Sequence, residues 1–152
     1  MIKVMFVCHG NICRSPMAEF LFKDMVNKMG LSSLFLIDSC ATSNEEIGND
    51  IYYGTKDILD KHNIPYEKRK AYRLSKKMYQ DYDYIICMDK NNLYNINYIT
   101  NDTTKVKLLL EYCNKNRDVL DPWYTHNFDE TYNDIKEGCL GFINYLKDKK
   151  II

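Results

Sequence analysis

The residues best suited to chemistry lie in one short segment near the N-terminus, CHGNICRS. It begins with the thiol of Cys8, places the guanidinium of Arg14 six positions later, and ends at Ser15. A thiolate is a strong nucleophile, and a guanidinium can donate two parallel hydrogen bonds to the oxygens of a phosphate. This pairing indicates chemistry on an oxyanion, with phosphoryl transfer as its most direct use.

The neighbouring residues predict how this segment is held. The apolar run from Ile2 to Val7 is typical of a buried strand and predicts a β-strand that ends at Cys8. Ser15 and Pro16 provide a capping hydroxyl and a first-turn proline, and apolar residues then recur at helical spacing as far as Met29. The reactive segment is therefore predicted to be a loop between a strand and a helix.

Such a loop is expected to bind an anion. Backbone N–H groups that point inward, together with the positive end of the helix dipole, form a concave anion site. The same positive potential favours the thiolate form of Cys8, and the Ser15 hydroxyl can donate a hydrogen bond to the sulfur. Gly10 and Asn11 tolerate the left-handed backbone that we expect in the loop. A Walker-type nucleotide loop is excluded because the segment has no lysine.

The rest of the chain continues the alternation of strands and helices. Strands are predicted at Leu34–Ser39, Tyr84–Met88 and Val106–Leu110, and helices at Ile51–Lys61, Lys90–Ile99 and Phe128–Lys147. This order predicts an α/β fold with three layers, in which a four-stranded parallel twisted sheet has helices on both faces. Ligands bind such sheets beyond the carboxyl ends of the strands, where the Cys8 loop is predicted to lie.

Composition limits the possible functions. The chain has 152 residues, of which 45% are apolar, and is predicted to form one domain, residues 1–152. Basic and acidic residues number 21 each, so the overall charge gives no reason to expect binding to nucleic acid or to a membrane surface. The run from Ile2 to Val7 is too short for a membrane span or a signal-peptide core, and we expect a cytoplasmic protein with reduced cysteines.

The segment CHGNICRSPMAE, which starts at Cys8, resembles the signature of the low-molecular-weight protein tyrosine phosphatase family. The segments DSCATS, EIGN, YDYIICMD and DPWY resemble further blocks of this family in the same order, so the resemblance covers nearly the whole chain. It implies an acid-phosphatase-like enzyme that hydrolyses phosphotyrosine and small aryl phosphates through a cysteinyl-phosphate intermediate. No cofactor or metal is implied, since Arg14 and the loop amides can balance the phosphoryl charge.

The resemblance also implies roles for individual residues. It makes Cys8 the nucleophile, Arg14 the phosphate clamp, and Asp121 the general acid that protonates the leaving phenolate and then activates water. Ser39 matches a family position that hydrogen-bonds the strained asparagine of the loop, here Asn11. The backbone amides expected to bind the phosphoryl oxygens belong to His9, Gly10, Asn11, Ile12, Cys13, Arg14 and Ser15.

Other side chains near these positions have two interpretations. Trp123 and Tyr124 are expected to form flat walls that favour aryl over alkyl phosphates. Cys13 either fills space or traps oxidised Cys8 as a disulfide, and the resemblance favours the trap. Asp89, after the third strand, is interpreted as a helix cap rather than as a functional residue. Glu45 and Glu46 lie in a stretch that resembles the family's variable rim, where they either disfavour acidic substrates or only solvate the surface.

Several functional alternatives stay open. Some family members act on phosphoarginine and tend to carry threonine where Ile12 stands, so isoleucine favours phosphotyrosine. The related arsenate reductases need further redox cysteines, but only Cys87 occurs near the end of the third strand. A non-catalytic phosphotyrosine-binding module would lose Cys8 or Asp121, and both are present. We expect phosphotyrosine proteins or aryl phosphates as partners, phosphate and other oxyanions as inhibitors, and a monomer or weak homodimer.

Overall fold

The structure is a computed structural model that describes residues 1–152. Its centre is one four-stranded sheet in the order β2-β1-β3-β4, in which every pairing of neighbouring strands is parallel. The strands are β1 (Ile2–Cys8), β2 (Phe35–Ala41), β3 (Tyr84–Cys87) and β4 (Val106–Leu108). The prediction of a four-stranded parallel sheet flanked by helices is confirmed.

Six α-helices surround this sheet, and none has both the length and the apolar character needed to cross a bilayer. They are α1 (Arg14–Lys28), α2 (Tyr53–Lys61), α3 (Lys76–Asp81), α4 (Lys90–Thr100), α5 (Pro122–Thr125) and α6 (Phe128–Asp148). The short helices α3 and α5 were not predicted. The fourth strand was predicted to reach Leu110, which is wrong, because a 3-10 helix begins at Leu109.

Each face of the sheet is covered by its own helices. Val4 and Phe6 of β1 pack into a large apolar core with α1 and α6, where the Phe6 and Phe22 ring centroids lie 5.8 Å apart. On the opposite face, Met5 and Val7 pack with side chains of α3 and α4. From Val4 to Cys8, β1 is buried on both faces, and this part of its sequence is continuously apolar rather than alternating.

The sheet topology creates a crevice at the end of β1. Strand β1 lies between β2 and β3. Helix α1 connects β1 to β2 on one side, and the chain then crosses from β2 to β3 on the other side of β1. In open parallel sheets this switch point leaves a crevice beyond the carboxyl ends of the strands. Cys8, the last residue of β1, lies at this position.

Candidate active site

The loop between β1 and α1 has one strained position. Asn11 adopts a left-handed backbone, with φ of 60°. The same conformation was predicted for Gly10, and this is wrong, because Gly10 does not have a positive φ. A Cβ atom at Gly10 would make a tight contact, 3.3 Å, with Cγ of the flexible Glu46 side chain.

The Cys8 sulfur lies among hydrogen-bond donors, and the residue is buried, with 3% of its surface exposed. The backbone N–H of Asn11 donates to Cys8 Sγ at 3.3 Å, and the Ser15 hydroxyl oxygen lies 3.0 Å from the same sulfur. The Ser15 oxygen already accepts a hydrogen bond from Asn11 Nδ2, so its own proton is free to point at the sulfur. Two such donors stabilise a thiolate.

These contacts leave no role for Ser15 as a helix cap. Helix α1 begins at Arg14, one residue before Ser15, and its N-cap position is Cys13, which makes no side-chain capping bond. The prediction that Ser15 caps the helix is therefore wrong. Its hydroxyl is fully buried and directed at Cys8 and Asn11 instead.

A buried hydrogen-bond network holds Asn11 from the side away from the pocket. Asn11 Nδ2 donates to Ser15 Oγ at 2.8 Å and to Ser39 Oγ at 2.9 Å. The Ser39 hydroxyl donates in turn to Glu19 Oε1 at 2.6 Å. We call Asn11, Ser15, Ser39 and Glu19 the inner network, and all four are buried. Such a network fixes the left-handed residue Asn11, whose backbone N–H donates to Cys8 Sγ.

Sequence reasoning missed one further support of the loop. The guanidinium of Arg69 donates to the carbonyl oxygen of Asn11, and also to that of Asn49 at 3.1 Å. Arg69 lies in an irregular segment 58 positions after Asn11. No periodicity or motif in that segment pointed to this contact.

Arg14 is almost completely buried, with 3% of its side chain exposed. Its Nη1 donates to Asp89 Oδ2 at 2.7 Å and to the Val119 carbonyl at 2.8 Å. Its Nη2 lies 3.5 Å from Asp121 Oδ2. Burial opposes the charged form of Arg14, but the negative charges of Cys8, Asp89 and Asp121 outweigh it and raise the pKa of Arg14. The guanidinium is therefore charged and held in one orientation.

Asp89 combines two functions in one carboxylate. Its Oδ1 accepts the backbone N–H of Asn92 at 2.7 Å, which caps α4 as the sequence predicts. Its Oδ2 accepts from Arg14, a contact that the sequence did not reveal. The start of α4 is thus connected directly to the guanidinium of the loop.

Asp121 is fixed by the short helix that follows it. Its Oδ1 accepts the backbone N–H of Trp123 at 3.0 Å and so caps α5, which Pro122 begins. The carboxylate is 24% exposed and faces Arg14. A carboxyl group at this place can reach both solvent and a ligand bound to Arg14.

One concave pocket brings the predicted residues together. Its lining consists of Cys8, His9, Gly10, Ile12, Cys13, Arg14, Glu45, Glu46, Asp121, Trp123 and Tyr124. Trp123 and Tyr124 are 50% and 79% exposed, so their rings are available to a ligand. Asn11 and Ser39 lie behind the loop rather than in the pocket. No group of three or more His, Cys, Asp or Glu side chains is arranged to hold a metal ion.

The second cysteine of the loop has a different environment from the first. Cys13 is buried, and burial together with the negative charges of Cys8 and Asp121 raises the pKa of Cys13 to about 12. Its thiol is therefore neutral at physiological pH. All six cysteines are free thiols, and a Cys8–Cys13 disulfide stays a prediction.

The fold and the pocket define an α/β protein in which the loop after β1 carries a thiol and leads, at Arg14, into a helix beside an open pocket. The family description "Low molecular weight phosphotyrosine protein phosphatase" matches residues 3–151. The chain is 39% identical over 154 residues to the low molecular weight protein-tyrosine-phosphatase YfkJ of Bacillus subtilis, with 99% of each chain covered. The chain therefore belongs to the low molecular weight phosphotyrosine protein phosphatase family.

Solved structures are similar over nearly the whole chain. The crystal structure of YfkJ gives a TM-score of 0.94, covering 99% of this chain and 97% of YfkJ. The low molecular weight protein tyrosine phosphatase SP-PTP from Streptococcus pyogenes is 40% identical with a TM-score of 0.86, covering 96% and 93%. A structure described as DARP, drosophila arginine phosphatase, is 29% identical with a TM-score of 0.88, covering 96% and 98%.

Proposed function

We propose that the chain is a cysteine-dependent protein tyrosine phosphatase that hydrolyses phosphotyrosine and small aryl phosphates. The observation that carries the proposal is that Cys8, Arg14 and Asp121 line one pocket. These three side chains supply a nucleophile, an anion clamp and a proton donor. Membership of the low molecular weight family supports the same assignment.

In the first step, the Cys8 thiolate attacks phosphorus, an S–P bond forms, and the P–O bond to the phenol breaks. The phenol has an ordinary pKa of ~10, so its departure is eased when Asp121 donates a proton to the leaving oxygen. Arg14 and the loop amides bind the three equatorial oxygens of the phosphoryl group. They are fixed before the substrate arrives, so little reorganisation is needed as charge moves.

In the second step, water attacks the phosphocysteine. Asp121, now a carboxylate, accepts a proton from this water, and the S–P bond breaks to release inorganic phosphate. The hydroxyl of Ser15, 3.0 Å from the sulfur, stabilises the departing Cys8 thiolate. The enzyme thereby returns to its starting state without a metal or cofactor.

Two features support an aryl phosphate as substrate. Trp123 and Tyr124 provide exposed aromatic surface beside the loop, against which a phenyl ring can pack. The apolar side chain of Ile12 lines the same pocket.

A second candidate, phosphoarginine hydrolysis, is supported by the similarity to the drosophila arginine phosphatase. A non-catalytic phosphotyrosine-binding module would not need Cys8 and Asp121 together in the pocket.

The remaining parts of the proposal concern the state of the protein. A reduced Cys8 requires a reducing compartment, which supports a cytoplasmic location. The phosphate site should also bind free oxyanions, so inorganic phosphate is expected to inhibit competitively. We propose a monomer or weak homodimer, which light scattering over a range of concentrations would test.

Hydrolysis of three substrates in EDTA tests the proposed function. The substrates are a phosphotyrosine peptide, a phosphoarginine protein and para-nitrophenyl phosphate, each with the wild-type chain and with Cys8→Ser. We expect turnover that requires Cys8 and is fastest, by kcat/KM, on the peptide. A preference for the phosphoarginine protein would support the second candidate. Binding of the peptide without turnover would leave only a recognition module.

A further inference from the structure

The entrance of the pocket carries two carboxylates that lack a lysine or arginine partner. Glu45 and Glu46 line the pocket together with Cys8 and Arg14. Glu45 is 68% exposed, and its partner is the imidazole of His9, with Nε2 at 2.9 Å from Oε2. Glu46 accepts a hydrogen bond from the neutral amide of Asn49 at 2.6 Å and forms no ion pair.

The other charges of the lining do not offset these two carboxylates. Arg14 is the only lysine or arginine in the lining, and it is already paired with Asp89 and faces Asp121. A bound phosphate dianion would pair with the positive charge of Arg14 that Asp89 and Asp121 leave uncompensated. The loop therefore attracts a phosphate, while Glu45 and Glu46 add negative charge beside it.

A peptide that inserts a phosphotyrosine must carry its neighbouring residues past this entrance. An extended chain advances by at most ~3.6 Å per residue, so the side chains next to the phosphotyrosine come close to Glu45 and Glu46. An exposed opposite charge at such a distance strengthens binding by up to roughly fivefold, and a like charge weakens it similarly.

We infer that Glu45 and Glu46 select the sequence around the phosphotyrosine. They favour phosphotyrosines flanked by lysine or arginine and disfavour those flanked by aspartate, glutamate or a second phosphate. This inference rests on the proposed function and narrows its substrate class to basic phosphotyrosine segments.

Two peptides of equal length test the inference. They share a central phosphotyrosine and differ only in whether lysine or glutamate occupies the two positions on each side. In the wild-type chain we expect kcat/KM to be roughly tenfold higher for the lysine peptide at low salt. The preference should shrink strongly at 1 M salt, where the screening length falls to about 3 Å.

Two matched double variants distinguish the effect of the charges at the pocket entrance from the effect of the net charge of the protein. The double variant E45Q/E46Q keeps the size of both side chains and should reduce the preference to about twofold. The double variant E137Q/D148N removes the same net charge from a separate groove beside α6 and should keep the full preference.

The outcomes distinguish this inference from the proposed function. Equal kcat/KM for the two peptides in the wild-type chain, or a preference that survives E45Q/E46Q, would overturn the inference and leave the phosphatase activity intact. A preference lost equally in E137Q/D148N would also overturn it, because net charge would then be the cause. Failure of the chain to hydrolyse either peptide or para-nitrophenyl phosphate would remove the proposed function, and the inference with it.

Discussion

The two sides of the loop between β1 and α1 are built from different kinds of contact. On the pocket side, Cys8, Arg14 and Asp121 are charged or reactive groups that line an open pocket. On the other side, the inner network of Asn11, Ser15, Ser39 and Glu19 is buried and consists of short hydrogen bonds. This difference indicates a division of labour in which the pocket side performs the chemistry and the inner network maintains the loop conformation, with Ser15 in contact with both Asn11 and Cys8.

The largest expected effect is on the pocket side. Cys8→Ser should lower the turnover of para-nitrophenyl phosphate by roughly 10³-fold or more, because the other thiol of the pocket, Cys13, has a pKa raised to about 12 and cannot replace the nucleophile. Phosphate should still bind, since Arg14 and the loop amides are unchanged. Release of para-nitrophenol measures the turnover, and the rise in melting temperature on addition of phosphate measures the binding. Loss of phosphate binding together with turnover would show that Cys8 is also needed for the loop conformation, and would contradict the proposed division of labour.

Asp121→Asn should lower turnover by about 10²- to 10⁴-fold for phenols that leave poorly, since the proton donor is lost. The loss should be smaller for more acidic phenols, which need no proton. Asparagine is also a good N-cap, so α5 and the thermal stability should be preserved. A series of aryl phosphates with different leaving groups measures this dependence. An equal loss across the series would remove Asp121 from the role of acid.

Ser39→Ala tests the inner network. It removes one of the two acceptors of Asn11 Nδ2 and the donor to Glu19, both buried, and should lower the free energy of unfolding by about 1–3 kcal/mol. Phosphate affinity should weaken as the loop loosens. Chemical denaturation measures the loss, with Ser33→Ala, at an exposed serine, as the matched control. Unchanged stability in Ser39→Ala would contradict the conformational role of the network.

The smallest effect distinguishes the two cysteines of the loop. The pKa of Cys13 is raised to about 12, so its thiol is neutral well below that pH, and its thiolate becomes abundant only as the pH approaches 12. Iodoacetamide at neutral pH should therefore modify Cys8 first and leave Cys13 intact, because the thiolate is the reactive form. Peptide mapping by mass spectrometry shows the order. Modification of Cys13 first would contradict the electrostatic difference between them.

Local patterns in the sequence were sufficient to predict the main elements. The apolar run before Cys8 predicted β1, and the alternation of apolar runs and helical spacing predicted the remaining strands and the long helices. Helices α3 and α5 are too short to show a hydrophobic period. Two contacts join residues that are far apart in the chain, so no local pattern could predict them. They are the hydrogen bond from Arg14 to Asp89 and the one from Arg69 to the Asn11 carbonyl.

The two errors in the loop have a common cause. Ser15 was interpreted as a cap and Gly10 as a left-handed residue because each type is common in that role. A serine hydroxyl has several possible partners, and a glycine is required either by its backbone angles or by a close neighbour. Only the tertiary contacts decide, and here they are Cys8 and Asn11 for Ser15, and Glu46 for Gly10.

The central claim is that Cys8 carries the phosphoryl group, and a trapping experiment tests it most directly. The variant Asp121→Asn is mixed with an aryl phosphate whose leaving group needs no proton, quenched rapidly and mapped by mass spectrometry. Since water activation is impaired, we expect one phosphoryl group per chain, attached to Cys8. The double variant that carries both Asp121→Asn and Cys8→Ser should carry no phosphoryl group. Phosphate on another residue, or turnover without any phosphorylated chain, would contradict the account.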